Sequence, residues 1–129
     1  MKRDMELIRK IMLKIENDYK GISLRDPKIE DYSNVIVAEH CHLLYDHGFI
    51  NEYKPIKADG TPVLTFWVGN LTWDGYDFLE KIRQDSVWNK TKEVITTQGL
   101  PMVIDVVKQV AQSIITSMTE GAINAMLHQ

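Results

Sequence analysis

Residues 49–68, FINEYKPIKADGTPVLTFWV, decide the fold of this chain. The first five, Phe49 to Tyr53, alternate like a β-strand, and Val63 to Val68 is rich in β-branched and aromatic residues. Between them, Lys57 to Pro62 forms a turn around Asp59-Gly60, which is a strong local signal for a hairpin. This stretch therefore predicts a two-stranded antiparallel ribbon.

Helical patterns flank the ribbon on both sides. Before it, one apolar stripe begins at Met5 and stops by Gly21, and a second helix begins at Ser33 or Asn34 and ends at Gly48. The loop between these helices contains a candidate short strand over residues 22–24. After the ribbon, the patterns predict helices over 71–83, over 86–97 and from 101 to about 127.

The order helix, loop, helix, ribbon, helix is that of a winged-helix domain. We therefore expect an α+β, mostly helical fold, with a winged-helix-like domain and its two-stranded wing over residues 1–98. A long apolar C-terminal helix occupies 99–129. The pattern Leu71-Thr72-x-x-Gly75-x-x-Phe78-Leu79 looks like the segment that closes the wing in many bacterial winged-helix proteins, where Thr72 would cap a helix and Gly75 would let it approach the sheet.

Composition excludes several classes of protein. With 129 residues, 44% of them hydrophobic, the chain can bury a core and is not intrinsically disordered. Its single cysteine excludes an internal disulfide framework, and no apolar run reaches the roughly 18–20 residues of a membrane span. Residues 1–6 lack the apolar stretch of a signal peptide. We expect a cytoplasmic protein without a membrane partner.

Several short stretches resemble one bacterial and phage family. They are MKRDMELIR at residues 1–9, HCHLL at 40–44, GFI at 48–50, and the Leu-Thr-Trp-x-Gly stretch at 71–75. On these motifs the chain is similar to the domain of unknown function 2513 family over roughly its first three quarters. The resemblance implies a winged-helix-like fold and frequent carriage in prophages, and it implies no known activity.

Winged-helix domains often bind DNA, with the helix before the wing in the major groove. The candidate DNA-binding residues lie on that helix, on the wing and in the basic N-terminus: Lys2, Arg3, Ser33, Asn34, His42, Lys54 and Lys57. The charge distribution disfavours DNA, since residues 26–80 carry three basic and ten acidic side chains and residues 29–53 carry no Lys or Arg. The alternative interpretation is that these polar residues form an ordinary solvated surface.

A cluster of histidines on the second helix raises the question of a metal site or a catalytic cysteine. The run Glu39-His40-Cys41-His42, followed by Asp46 and His47, lacks the spacing of a zinc site. Adjacent helix positions point about 100° apart, so no base lies beside Cys41. We interpret His40 as a histidine at the edge of the core that is bonded to the backbone. We predict no metal, no cofactor and no enzymatic activity.

The three tryptophans have two interpretations. Trp67, Trp73 and Trp88 could be platforms on which nucleic-acid bases stack. Packing between the ribbon and its flanking helices is the interpretation that we favour.

The C-terminal helix carries the clearest signal for an interaction. Its apolar residues recur at spacings of three and four and form a seam of Ile104, Val107, Ala111, Ile114, Met118, Gly121 and Ala125. The apolar arc is too wide for one small domain to cover, so we predict a homodimer or a higher oligomer through this seam. A membrane surface is disfavoured, because the polar face lacks the Lys and Arg that bind anionic lipid.

Together these features predict a non-catalytic winged-helix binding protein of the phage or prophage type. Its role would be regulatory or accessory, and it would dock on a protein partner or on DNA. The alternative is an oligomeric structural or interaction module with no nucleic-acid role.

Overall fold

The computed structural model describes residues 1–128. Within them the chain is an α+β protein that is mostly helical, with five helices and one three-stranded sheet. The elements in chain order are α1 (Met5–Asp18), β1 (Leu24–Arg25), α2 (Asn34–His47), β2 (Tyr53–Ile56), β3 (Thr65–Val68), α3 (Trp73–Ile82), α4 (Asp85–Thr97) and α5 (Ile104–Leu127). None of these described helices is both long and apolar enough to cross a membrane.

The sheet is antiparallel, with the strand order β1-β3-β2. The central strand is β3, whose Val68 pairs with Leu24 on one side and with Tyr53 on the other. Side chains alternate along β3, so Phe66 and Val68 are fully buried while Trp67 lies on the opposite face. The buried face packs on α2, which in turn packs on α1. The other face of the sheet is the more open one, and we call it the outer face.

The ribbon is shorter than the sequence predicts. The strand predicted over Phe49–Tyr53 is wrong, because β2 begins at Tyr53 and Ile50 forms only an isolated bridge to Leu71. Both Phe49 and Ile50 are fully buried, whereas consecutive residues of a one-sided strand point to opposite faces. The returning strand also begins later than expected, at Thr65.

The turn of the hairpin lies where the sequence puts it. The Thr61 amide donates to the Ala58 carbonyl over 3.1 Å, which places Asp59-Gly60 at the centre of the turn. The φ angle of Gly60 is +71°, a conformation that favours glycine. The complete connection between β2 and β3 runs from residue 57 to 64, so the hairpin is longer than a two-residue loop.

Capping residues set the helix boundaries as predicted. Ser33 caps α2 by accepting a hydrogen bond from the Ile36 amide (3.3 Å), and Gly48 ends this helix at a φ of +83°. Thr72 caps α3 by accepting from the Gly75 amide (3.1 Å). Two boundaries differ from the prediction. The first helix, α1, ends at Asp18 before the expected glycine. The last helix, α5, begins at Ile104 and not at residue 101, so Pro101 precedes it.

Gly75 allows a close approach, as expected, but not to the sheet. A Cβ at this position would overlap the carbonyl oxygen of Phe49. That same oxygen accepts a hydrogen bond from the Thr72 amide (3.0 Å), and the Thr72 hydroxyl donates to the Gly48 carbonyl. The start of α3 is therefore fixed against the residues that follow α2.

The chain divides into two compact units, Met1–Leu79 and the part from Glu80 onwards. The first unit contains the sheet, and the second contains α4 and α5, which pack against each other. We expected a boundary between residues 98 and 99. The observed division places α4 with α5 because the two helices share their apolar faces, on which Trp88 and Val107 are fully buried.

Candidate nucleic-acid interface

The outer face of the sheet carries a row of two cations and one tryptophan. The strand register places Trp67 between Arg25 on β1 and Lys54 on β2. We call these three residues the basic–aromatic row. The Arg25 guanidinium carbon lies 5.5 Å from the centre of the Trp67 ring, which is the geometry of a cation–π contact.

Arg25 is held at one edge and open at the other. Its Nε donates to the Thr65 hydroxyl oxygen over 3.3 Å and lies 3.8 Å from a carboxylate oxygen of Asp26. The side chain is nevertheless 67% exposed, so the terminal nitrogens face solvent. An arginine held in this way can still present its guanidinium to a phosphate.

Lys54 and Lys57 extend the positive charge along the ribbon. Lys54 lies on β2 and Lys57 at the start of the hairpin loop, and both are exposed. Neither forms an ion pair with any residue in the part of the chain that the structure describes. Unpaired lysines on a projecting hairpin are suited to contact with a phosphate backbone.

Asp26 joins the segments that carry the basic–aromatic row through its hydrogen bonds. It takes a positive φ of 45° and accepts hydrogen bonds from the Thr65 hydroxyl (2.6 Å), the Phe66 amide (2.9 Å) and the Asn34 side-chain amide (3.4 Å). Burial raises the pKa of this carboxyl, but these hydrogen bonds and the charge of Arg25 outweigh burial and leave the pKa below its usual value. Asp26 therefore stays ionised and links the end of β1, the start of β3 and the start of α2.

The candidate residues on α2 do not form a separate binding surface. Ser33 is the helix cap, and Asn34 bonds Asp26. His42 stacks on Tyr53 with ring centres 5.1 Å apart, and its Nε2 lies 3.4 Å from Asp46. These three side chains already make local contacts.

The exposed side of α2 also carries the wrong charge for DNA. Asp46 is exposed and Glu39 is half-buried, and the helix contains no Lys or Arg. A helix of this kind repels the phosphates that line a major groove. Of the other candidates, Lys2 and Arg3 lie in the exposed N-terminal segment before α1.

Two members of the row were not identified as a site from the sequence. Arg25 was not identified because the short strand was expected over residues 22–24, whereas β1 is Leu24–Arg25. Trp67 had two interpretations that the sequence could not separate, and the structure leaves it half-buried beside two cations. Trp88 is fully buried, but it lies on α4, which packs against α5 and not against the ribbon. Trp73 is 82% exposed, so the packing interpretation is wrong for that residue.

His40 and Cys41 are both structural. The His40 Nε2 accepts a hydrogen bond from the Asp4 amide (2.9 Å), so its Nδ1 carries the proton and donates to the Ile36 carbonyl (2.8 Å). This confirms a histidine bonded to the backbone. Burial raises the pKa of the Cys41 thiol to about 12, so the thiolate that nucleophilic chemistry needs is not formed. Within residues 1–128, no three His, Cys, Asp or Glu side chains lie close enough together to hold a metal ion.

The predicted seam of α5 is divided by burial. Val107 and Ala111 are fully buried, and Ile104 and Ile114 are half-buried. Met118 and the later seam residues, Gly121 and Ala125, are exposed. The first half of the seam is therefore covered within the chain, and only the second half is open to a partner.

The fold and its elements define a mostly helical α+β protein with a small antiparallel sheet. A family model described as "Hypothetical protein (DUF2513)" matches residues 2–101, and the chain belongs to this family. It is also 36% identical over 119 residues to a protein of Haemophilus influenzae that is named "Uncharacterized protein"; this match covers 92% of the present chain and 98% of the Haemophilus protein. No solved structure matches the chain.

Proposed function

We propose that this protein is a cytoplasmic, non-catalytic binding protein of the winged-helix type that binds nucleic acid through the outer face of its sheet. The element order α1-β1-α2-β2-β3, with an antiparallel β1-β3-β2 sheet and a projecting hairpin, supports the winged-helix interpretation. The prophage association comes from the family resemblance, and within it we propose a regulatory or accessory role.

The basic–aromatic row is the observation that carries this proposal. Arg25 and Lys54 flank Trp67 on adjacent strands, and Lys57 adds a third cation beyond the row. Lysine and arginine supply the salt-dependent attraction to phosphates, and an aromatic ring between them supplies a surface for base stacking.

The same geometry favours a single strand over a duplex. Bases in a duplex are already stacked on each other, so a lone ring on a flat sheet can stack only on an unpaired base. In this binding mode Trp67 stacks on the base while Arg25 and Lys54 contact the phosphates on either side. The acidic side chains of α2 repel the phosphates of a duplex whose major groove would receive this helix, as in the usual winged-helix binding mode.

The test is fluorescence anisotropy with a labelled single strand of about twelve nucleotides and its duplex, between about 50 and 200 mM salt. We expect salt-dependent binding to the single strand and weaker binding to the duplex. Replacing both lysines, Lys54→Ala with Lys57→Ala, should weaken binding to all sequences equally and reduce the salt slope by about 1.4. Lys28→Ala removes one cation beside Glu30 and Asp31 and should leave binding unchanged.

Trp67 gives the sharper test of stacking. Trp67→Ala should weaken single-strand binding about tenfold or more, and Trp67→Phe should retain most of the affinity because a ring remains. If neither nucleic acid binds, or if the double lysine variant binds as tightly as the parent, the proposal is wrong.

The second candidate function is an oligomeric interaction module with no nucleic-acid role. The exposed apolar end of α5 favours it, since four of its large side chains, Met118, Ile123, Met126 and Leu127, are about half or more exposed. Self-association without any salt-dependent binding of nucleic acid would support this candidate.

A further inference from the structure

A second row of residues lies beside the basic–aromatic row on the outer face of the sheet. Gly69 follows β3 on the same face as Trp67, because side chains alternate along a strand. The Gly69 amide donates to the Glu52 carbonyl over 3.0 Å, so the ladder between β2 and β3 continues past their ends. Ser23 precedes β1 and Glu52 precedes β2, and the register sets them on either side of Gly69. We call Ser23, Gly69 and Glu52 the glycine row.

A hydrogen bond crosses the central strand in the glycine row. The Ser23 hydroxyl donates to the Glu52 Oε1 over 2.5 Å. The two outer strands are about 9.6 Å apart, which is twice the strand spacing, so these side chains meet only by leaning over Gly69. A Cβ on Gly69 would overlap the Asn51 Oδ1 and lie 2.9 Å from the Glu52 Cβ. The glycine therefore leaves the space in which Ser23 holds the Glu52 carboxylate.

The Glu52 carboxylate keeps most of its acceptor positions free. An ionised carboxylate only accepts hydrogen bonds and has about four positions for them, of which the Ser23 hydroxyl uses one. Among the residues that the structure describes, no other side chain bonds or pairs with this carboxylate. Glu52 is half-buried, so its carboxylate is accessible from the outer face. A carboxylate fixed in this way is suited to a ligand with two adjacent donors.

The cation–π contact of Arg25 determines where a base can stack. The guanidinium lies over the Trp67 ring and reaches it from β1, so the other face of the ring is turned towards the side of β2. On that side, Glu52 and Lys54 lie two residues apart on the same face, about 7 Å along the strand. Lys57 lies further towards the hairpin turn. A base on this face therefore has cations towards the hairpin and a carboxylate at the opposite end.

This distribution of charge orients a stacked base. The sugar and phosphates of a nucleotide are attached at one edge of the base, and its Watson–Crick edge lies on the other side. When the phosphates contact Lys54 and Lys57, the Watson–Crick edge faces Glu52. We propose that Glu52 selects guanine in the single strand that the outer face binds. This inference rests on the function proposed above.

Guanine is the base whose Watson–Crick edge matches a carboxylate. It places two donors, N1–H and an N2 amino hydrogen, side by side, and each can bond one carboxylate oxygen. Adenine and cytosine place one amino donor beside a ring nitrogen that accepts, and thymine and uracil place one donor between two carbonyl oxygens. An acceptor that faces a carboxylate is repelled. In a duplex this edge is occupied by base pairing, so selection through it also requires a single strand.

The first test compares labelled strands of about twelve nucleotides by fluorescence anisotropy. Thymine alternates in each strand with guanine, with inosine or with cytosine. The guanine strand should bind about tenfold more tightly than the cytosine strand. Inosine lacks only the N2 amino group of guanine, and its strand should bind at least about fivefold more weakly than the guanine strand. A strand with 7-deazaguanine keeps the Watson–Crick edge and should bind like the guanine strand.

Variants of the glycine row give the second test. Glu52→Gln offers one acceptor and one donor, so the preference for guanine over cytosine should fall below about twofold. Ser23→Ala frees the carboxylate and should lower the preference about threefold, which identifies Ser23 as a positioning residue. Both variants should bind the cytosine strand at least as well as the parent, which also shows that they are folded. Glu30→Gln, beside Lys10 in the cleft next to α1, is the matched control and should keep the preference.

The possible failures are distinguishable. Equal affinity of the parent for all three strands, or an unchanged preference in Glu52→Gln, would overturn the selection of guanine and leave the proposed function intact. Absence of binding to every strand would overturn both. Guanosine monophosphate in about a hundredfold excess should leave the guanine strand bound, because a mononucleotide cannot engage Arg25, Lys54 and Lys57 together. Complete displacement would mean that the site binds a free nucleotide and would overturn the assignment to a strand.

Discussion

The helices α1 and α5 carry the same kind of apolar stripe, but the stripe is buried along α1 and only partly buried along α5. In α1, Leu7, Ile11 and Ile15 are fully buried. In α5 the stripe is fully buried at Val107 and Ala111 and exposed beyond them. The periodicity of apolar residues thus shows which face of a helix packs against other elements. The length of the neighbouring element decides how much of that face is buried.

The two units also differ in how their polar groups are used. In the first unit, hydrogen bonds join segments far apart in sequence, such as Asp4 with His40 and Asp26 with Phe66. In the second unit, the buried Thr91 hydroxyl donates to the Val87 carbonyl four residues before it. The first unit is cross-linked by polar contacts, and α4 and α5 are held together by apolar packing.

The largest expected effect is at the core of the first unit. Phe49 is fully buried and stacks on Phe78 with ring centres 5.1 Å apart. Phe49→Ala should lower the free energy of unfolding by about 3–5 kcal/mol, measured by urea denaturation. Leu127→Ala, at the exposed C-terminal end of α5, should change it by less than about 0.5 kcal/mol. If both variants lost a similar free energy of unfolding, the contrast between the buried core of the first unit and the exposed end of α5 would be contradicted.

Gly75, in the first unit, gives the next test. Gly75→Ala forces a methyl group against the backbone at Phe49 and should cost about 2–3 kcal/mol. The loss should appear in chemical denaturation as a lower midpoint. A variant as stable as the parent would show that α3 can move away from the end of α2.

His40 sharpens the comparison through its polar contacts. His40→Ala leaves the Asp4 amide without its acceptor and removes the side-chain donor to the Ile36 carbonyl, and it should cost about 2 kcal/mol. His42→Ala is the matched control, because that side chain is 58% exposed, and its cost should be below about 0.5 kcal/mol. The same denaturation experiment measures both, and equal values would contradict a structural role for His40.

Asp26 predicts a dependence of stability on pH. Its pKa in the folded protein is below the usual value, so the ionised form stabilises the fold above about pH 4. This contribution is lost as the pH falls through the folded-state pKa. Asp26→Asn should therefore be about 1 kcal/mol less stable than the parent at pH 7, and the difference should shrink towards pH 2. A constant difference over this range would mean that the charge has no role; Asp59→Asn, in the hairpin turn, serves as the control.

The smallest effect has the opposite sign. Apart from the neighbouring backbone of its own helix, no atom of residues 1–128 lies within 4 Å of a Cβ built on Gly121. Alanine favours helix over glycine by about 0.5–1 kcal/mol. Gly121→Ala should raise the helix content and stability of the monomer by up to this amount, as seen by circular dichroism of a dilute sample. Paired with Gly75→Ala, the same substitution then gives opposite signs in the two units.

Local signals in the sequence determined most of the helices. Ser33, Gly48 and Thr72 act on amides or carbonyls within a few residues, so their identity alone marks where α2 ends and where α2 and α3 begin. The α+β class, the position of the hairpin turn and the backbone-bonded role of His40 followed in the same way. The family resemblance was also visible in short motifs and is confirmed by the family model.

The tertiary structure alone decided the rest. The strand expected over Phe49–Tyr53 failed because burial of two consecutive residues depends on what packs from both sides, which periodicity does not encode. The basic–aromatic row exists only through the register that sets Arg25 and Lys54 beside Trp67, since these residues lie in three separate segments of the chain. The division of the α5 seam depends on where α4 begins along it. A sequence specifies which surfaces are apolar or charged, but contact between distant segments fixes which of those surfaces remain open to a partner.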